Sequence, residues 1–185
     1  MANFTRDAIK ASFIKLLEQR PLAQISVKDI VSDCGVNRNT FYYYFHDIPQ
    51  LLESIVEEDA ERIIQKYPTV DSIEACLDAA LEFALAHRRA VLHIHNSANR
   101  VVYEQYLWKV CEHTVGRYVD TLLTDHPMRD EDRDVLIQSE VYAAFGAVMY
   151  WLEHGMKEDL RVPFHRICEL KKGFIDEIVR RSGED

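Results

Sequence analysis

Cysteine, glycine and proline are scarce in this chain of 185 residues, with 4, 6 and 5 copies respectively, and each scarcity removes a class of architecture. The cysteines, Cys34, Cys76, Cys111 and Cys168, stand far apart, so neither a CxxC redox motif nor a clustered zinc site is available locally; they read as reduced core thiols. So little glycine and proline excludes fibrous repeats and loop-rich scaffolds. No stretch approaches the roughly 18 uninterrupted apolar residues of a membrane span, and the opening MANFTRDAIK lacks the apolar run of a secretory signal. The expectation is a soluble, cytoplasmic protein with no membrane partner. A nucleophile set between glycines and a phosphate-cradling glycine loop are also missing, which argues against an enzyme and calls for no cofactor. Alternating strand patterns are few, and neither an internal repeat nor a low-complexity segment is found.

What is present is apolar bulk and an uneven charge. Hydrophobic residues make up 48% of the chain, enough for a proper core. The net charge of −9 would discourage nucleic acid if it were uniform. Residues 1 to 50 carry six basic and five acidic side chains, whereas the remaining 135 carry 16 and 26. A near-neutral head can approach phosphate while a strongly acidic body repels it, so the two parts are expected to serve different partners.

The helix signals follow in order. Thr5 offers an N-cap to an amphipathic helix over 6 to 19, with Ile9, Phe13, Leu16 and Leu17 at helical spacing, stopped by Arg20-Pro21. Ser26-Val27-Lys28-Asp29 matches a capping box ahead of a short helix that ends at Gly35, whose missing Cβ suits a left-handed cap. Asn37 can cap a third helix from Arg38 to Tyr44 or Phe45. Two short helices around a glycine-containing turn have the spacing of a helix-turn-helix. Asp47-Ile48-Pro49-Gln50 starts a fourth helix to about Lys66, and Asp71-Ser72-Ile73-Glu74 caps a fifth ending near His87. A short helix over 90 to 95 is expected next, then long ones from about Asn99 to Leu123 and Glu131 to His154, and a last one from Pro163 to near Arg181. The fold class is therefore all-α with about nine helices, divided into a helix-turn-helix domain at 1–47 and a helical regulatory and dimerisation body at 48–185.

The run SVKDIVSDCGVNRNTFYYYFHDIPQLL resembles the DNA-binding segment of TetR-family transcriptional regulators. Ile30, Gly35, Val36, Thr40, Phe41, Tyr42, Tyr44, Phe45 and Leu51 fall on the positions of that family's pattern. More loosely, the size, the all-α body and the sequence Trp151-Leu152-Glu153-His154-Gly155 agree with it. The resemblance implies a homodimer on double-stranded DNA, with Lys28 and Tyr42 approaching bases and Thr40, Tyr43 and Tyr44 holding phosphate. One departure is Ile48, where many relatives carry a phosphate-binding lysine; His46 is expected to substitute in part.

The third helix supports the same chemistry independently. Arg38 can pair bidentately with guanine and Asn39 with adenine, and the hydroxyls of Thr40 and of Tyr42-Tyr43-Tyr44 can reach phosphate. Three successive tyrosines cannot all face one core, so at least one is exposed, whereas Phe41 and Phe45 are core. In the body, Phe83, His93, Tyr103, Tyr106 and Trp108 belong to an aromatic and polar mixture suited to lining an effector pocket. The same region offers His93-Ile94-His95 with Cys111, Glu112 and His113, but their spacing matches no recognised metal site, so no metal is expected. The segment VYAAFGAVMYWL, Val141 to Leu152, is apolar nearly all round and must be covered on more than one side. Ala143, Ala147, Tyr150 and Trp151, with Phe164 and Phe174 from the last helix, are expected to form the dimer interface as a four-helix bundle. The function read from the sequence is a ligand-responsive regulator that represses from a palindromic operator. An activator or a regulator answering to a protein partner is the alternative, and an all-α enzyme or metal-binding protein the remote one.

Overall fold

A computed structural model describes residues 2–66, 73–124, 128–171 and 173–182, and among these every regular element is helical. Ten α-helices are seen: α1 Ala2–Leu17, α2 Val27–Cys34, α3 Arg38–Tyr44, α4 Ile48–Lys66, α5 Ile73–Ala86, α6 Arg88–His95, α7 Arg100–Leu122, α8 Asp130–Glu153, α9 Arg161–Leu170 and α10 Phe174–Ser182. A single 3-10 turn, Leu22–Gln24, follows Pro21. Two expectations shift. The first helix starts at Ala2 rather than after Thr5, because nothing from Ala2 to Thr5 is a helix breaker and Thr5 becomes an interior residue. The last helix is two, because Gly173 takes φ 79°, a left-handed conformation that interrupts the chain between α9 and α10. The expected breaks at Tyr67-Pro68 and His126-Pro127, and the cap at Asp71-Ser72, lie outside the described residues.

The chain divides into two compact units, one formed by Met1–Glu61 with Ala84–Tyr106 and the other by Arg62–Phe83 with Leu107–Asp185. In the first, the helical spacing of Ile9, Phe13, Leu16 and Leu17 on α1 meets Ile30 and Val31 of α2, Phe41 and Phe45 at α3, and Leu51, Leu52 and Ile55 of α4. Ala90 and Ile94 of α6 complete that core. Polar groups tie the same elements together: Ser12 donates to the Ile30 carbonyl at 3.1 Å, and the His93 ring nitrogen Nδ1 lies 2.6 Å from the Leu17 carbonyl, the last turn of α1.

The second unit is organised by α7 and α8, whose buried residues are Cys111, Val115, Val119, Leu136 and Val141, with Trp108, Phe145 and Ile178 packed against them. Arg133 on α8 donates through Nε to Asp120 on α7 at 2.9 Å, and Lys171 reaches both oxygens of Glu140 at 2.6 Å. Helix α8 ends at Gly155 (φ 72°) and Met156 (φ 54°), where the Met156 amide returns to the Trp151 carbonyl at 2.8 Å. By length and composition α8 is also the one described helix that could cross a membrane, yet only 22% of its most apolar window is buried inside the chain. Much of its apolar surface is thus left uncovered by its own chain.

Candidate nucleic-acid interface

The helix-turn-helix is built by caps that the local sequence supplies. The Ser26 hydroxyl accepts the Asp29 amide at 3.3 Å while the Asp29 carboxylate accepts the Ser26 amide at 2.9 Å, closing the capping box that starts α2. Gly35, at φ 72°, ends α2 by sending its amide to the Val31 carbonyl. The Asn37 side chain then accepts the Thr40 amide at 2.8 Å and opens α3. At the start of α4 the Asp47 carboxylate accepts the Gln50 amide at 2.8 Å, and Gln50 accepts the His46 amide in return.

These caps leave α3 with a buried side, Phe41, and an outer side on which Arg38 and Asn39 are exposed. Tyr42 and Tyr43 are 56% and 79% exposed, whereas Tyr44 is half-buried against the core and stands edge-on to Tyr43 at 4.9 Å. Two of the three tyrosines therefore face solvent. Lys28 and His46 are exposed as well. Thr40 differs from the rest: its hydroxyl donates to Asn37 at 3.1 Å, so the donor a phosphate would require is already engaged in the cap.

The charges around this surface are sorted. Asp29 is held by Ser26 first and by Arg20 at 3.3 Å, and its carboxyl is pushed below the ordinary aspartate range by those hydrogen bonds and that charge. Asp33 is lowered in the same direction, chiefly by Lys15 at 2.6 Å and then by Ser12. Both acids of α2 are thereby matched by cations from outside it, Lys15 of α1 and Arg20 beyond its end. Among the described residues Lys28 and Arg38 have no carboxylate partner, so two unmatched cations remain on the surface of α2 and α3. Sequence reasoning did not single out Lys15 and Arg20. They lie 18 and 9 residues from the acids they match, and no local pattern couples them.

The other expected sites are less tightly grouped. His93, Tyr103 and Tyr106 belong to the first unit, Phe83 and Trp108 to the second. His93 is engaged by α1, and Tyr106 is buried with its hydroxyl 3.4 Å from Glu53. Burial and the nearby Glu57 and Glu53 raise the Tyr106 phenol above its ordinary range. Of the five, only Trp108 lines the described cleft of about 260 Å³, together with Glu112, Asp134, Ile137, Gln138 and Val141. Trp108 also stands edge-on to Phe145 at 5.2 Å. Of the expected interface residues, Ala143, Ala147, Tyr150 and Phe174 are exposed and Phe164 is half-buried. Trp151 departs from its expected place: it is 4% exposed and its indole N–H donates to the Glu158 carbonyl at 2.7 Å, so it is an interior residue of its own chain.

An all-α chain with two capped short helices around a left-handed glycine, each bearing one unmatched cation, Lys28 on α2 and Arg38 on α3, defines a helix-turn-helix protein. A family model described as "Bacterial regulatory proteins, tetR family" matches residues 12–55, and one described as "Transcriptional regulator C-terminal region" matches residues 71–173, more than half of the chain. The chain belongs to the TetR family of transcriptional regulators. It is 44% identical over 50 residues to the HTH-type transcriptional regulator EthR of Mycobacterium tuberculosis, covering 27% of this chain and 23% of that one. It is 37% identical over 60 residues to the HTH-type dhaKLM operon transcriptional activator DhaS of Lactococcus lactis, covering 32% of each. These matches span about a quarter to a third of the relatives' length. In fold, the chain is similar to the dihydroxyacetone kinase operon activator DhaS, with TM-score 0.77, 20% identity and coverage of 93% and 96%. It is also similar to a TetR transcriptional regulator from Streptococcus agalactiae, with TM-score 0.58, 20% identity and coverage of 84% and 91%.

Proposed function

We propose that this protein is a cytoplasmic, homodimeric regulator that reads a palindromic operator through Arg38 and Asn39, with Lys28 and Tyr42 also approaching bases, and holds its phosphates through Tyr43 and His46. The observation that carries the reading is the sorted charge of the helix-turn-helix, where acids are matched from outside and Lys28 and Arg38 are left for DNA. Thr40 and Tyr44 act more through the shape of α3 than through direct contact, given their bonds and burial. The functional division falls at 47/48, with 48–185 supplying dimerisation and regulation. The uncovered apolar face of α8, with Ala143, Ala147 and Tyr150, supports pairing with a second copy. An effector of small size is placed at the cleft beside Trp108, where an aromatic face meets the polar ends of Glu112, Asp134 and Gln138.

Repression is the primary reading, since a dimer lying over a promoter blocks it with no surface beyond the DNA contacts. Activation is the second, favoured by the relative named as an activator, whose fold matches over 93% of this chain. The test selects bound duplexes from genomic fragments with the purified protein. A two-fold symmetric site overlapping promoter core elements is the expected result; a symmetric site upstream of them selects activation, and recovery of no symmetric site defeats the proposal.

A further inference from the structure

A buried lysine in the first unit has no part in the DNA contacts, and its surroundings give it another. Lys10 on α1 is 8% exposed, and its Nζ lies 2.5 Å from Glu58 Oε1 on α4 in an ion pair without hydrogen-bond alignment. No other acceptor bonds that Nζ among the described residues. One turn away on α1, Arg6 reaches the same Glu58 oxygen at 3.0 Å and donates to Ser54 at 3.3 Å, with its guanidinium 5.8 Å from the centre of the Phe45 ring. Arg6 and Lys10 on one helix and Ser54 and Glu58 on the other thus form two rungs, each pair four residues apart.

A ladder of this kind opposes sliding. Apolar side chains between two helices tolerate neighbouring registers, but a shift of one turn, about 5.4 Å, would set Lys10 against either Ser54 or Arg62. The first leaves a buried ammonium unpaired and the second opposes two cations, both costly. Only the lysine of this pair is buried, since 39% of the Glu58 side chain is exposed, and a half-exposed pair adds little to stability, so it is better explained by register than by strength. Helix α4 matters here because it begins beside the recognition helix and is one of two helices, with α7, whose chain passes from the first unit into the second.

We propose that Lys10 and Glu58 act as positioning residues that fix α4 against α1 and so set which half-site spacing the dimer accepts. The proposal rests on the operator-binding dimer proposed above. Two recognition helices must meet major grooves about 34 to 36 Å apart, so any freedom of α4 against the head appears as tolerance of altered spacing.

The experiment uses the full chain and the symmetric duplex recovered by selection, with and without one base pair inserted at its centre. Wild type should lose about tenfold or more on insertion, comparable to a mismatched site. Lys10→Met keeps Glu58 solvated and paired with Arg6, so its Tm should equal or exceed that of wild type. Glu58→Gln leaves the ammonium buried and should lower Tm. Despite these opposite stabilities, both variants should accept the inserted site to within about threefold of the native one. If spacing preference stays at the wild-type level in both, or relaxes only in the less stable variant, the pair is structural alone and the proposal is overturned. Should wild type bind no symmetric duplex, the operator reading itself falls, and this inference with it.

Discussion

At the scale of single residues, the DNA surface depends on which side chains are left free after folding. Arg38 is exposed, at the start of α3 and without a carboxylate partner among the described residues, so it can turn to a base edge without breaking a described bond. Replacing it by alanine is expected to cost about 1 to 3 kcal/mol on the operator and to relax preference at one base position. Tyr43→Phe removes a hydroxyl from a ring that is 79% exposed, and should weaken operator and random duplexes alike. Anisotropy titrations on both duplexes separate the two; equal losses on both for Arg38→Ala would remove its base-reading role. The engaged Thr40 hydroxyl adds a contrast, since Thr40→Val should act mainly through the cap of α3.

At the scale of elements, the turn between α2 and α3 sets the angle at which the recognition helix is presented. Gly35 holds φ 72° there, and a Cβ built on it would meet nothing within 4 Å. Any cost of Gly35→Ala is therefore backbone strain alone, about 1 to 2 kcal/mol, and Gly35→Asn should recover part of it because asparagine tolerates the left-handed region. Thermal unfolding of the two variants checks this; an alanine variant as stable as wild type would contradict the conformation.

This region was legible in the sequence because its signals are short-range: Ser26 with Asp29, Gly35, and Asn37 with Thr40 act within four residues of one another. Helix α8 was legible for the same kind of reason, since its apolar run is continuous. The expected pocket was less so, because His93 and Tyr106 look the same in sequence whether they line a cavity or bond to Leu17 and Glu53. Trp151 reads as an interface residue by neighbourhood, but helical rotation turns it inward while Tyr150 beside it stays out. Neither the Lys10 ladder nor the cations that match Asp29 and Asp33 had a local signal, because their partners are brought together only by tertiary packing.

At the scale of the whole molecule, α8 poses the largest question of coverage. Val135, Tyr142 and Tyr150 are 67%, 55% and 56% exposed, with Ala143, Gly146 and Ala147 exposed between them. On the proposed dimer this face meets its own copy, so Ala147→Glu would bury an unpaired carboxylate on each side, a cost of about 3 to 5 kcal/mol each. Sedimentation should then show a folded monomer with operator binding lost, since two half-sites are no longer held together; a normal dimer with normal affinity would place the interface elsewhere. The discontinuity of the first unit bears on synthesis. Its core needs Ala90 and Ile94 from α6 beside residues that precede Glu61. A chain growing from the ribosome exposes the apolar sides of α1 to α4 before α6 exists, so the head cannot close until Ile94 has been translated. The nascent head is then a natural client for chaperones over that interval, and a stop codon placed between α4 and α6 should yield an aggregation-prone fragment in place of a small DNA-binding domain.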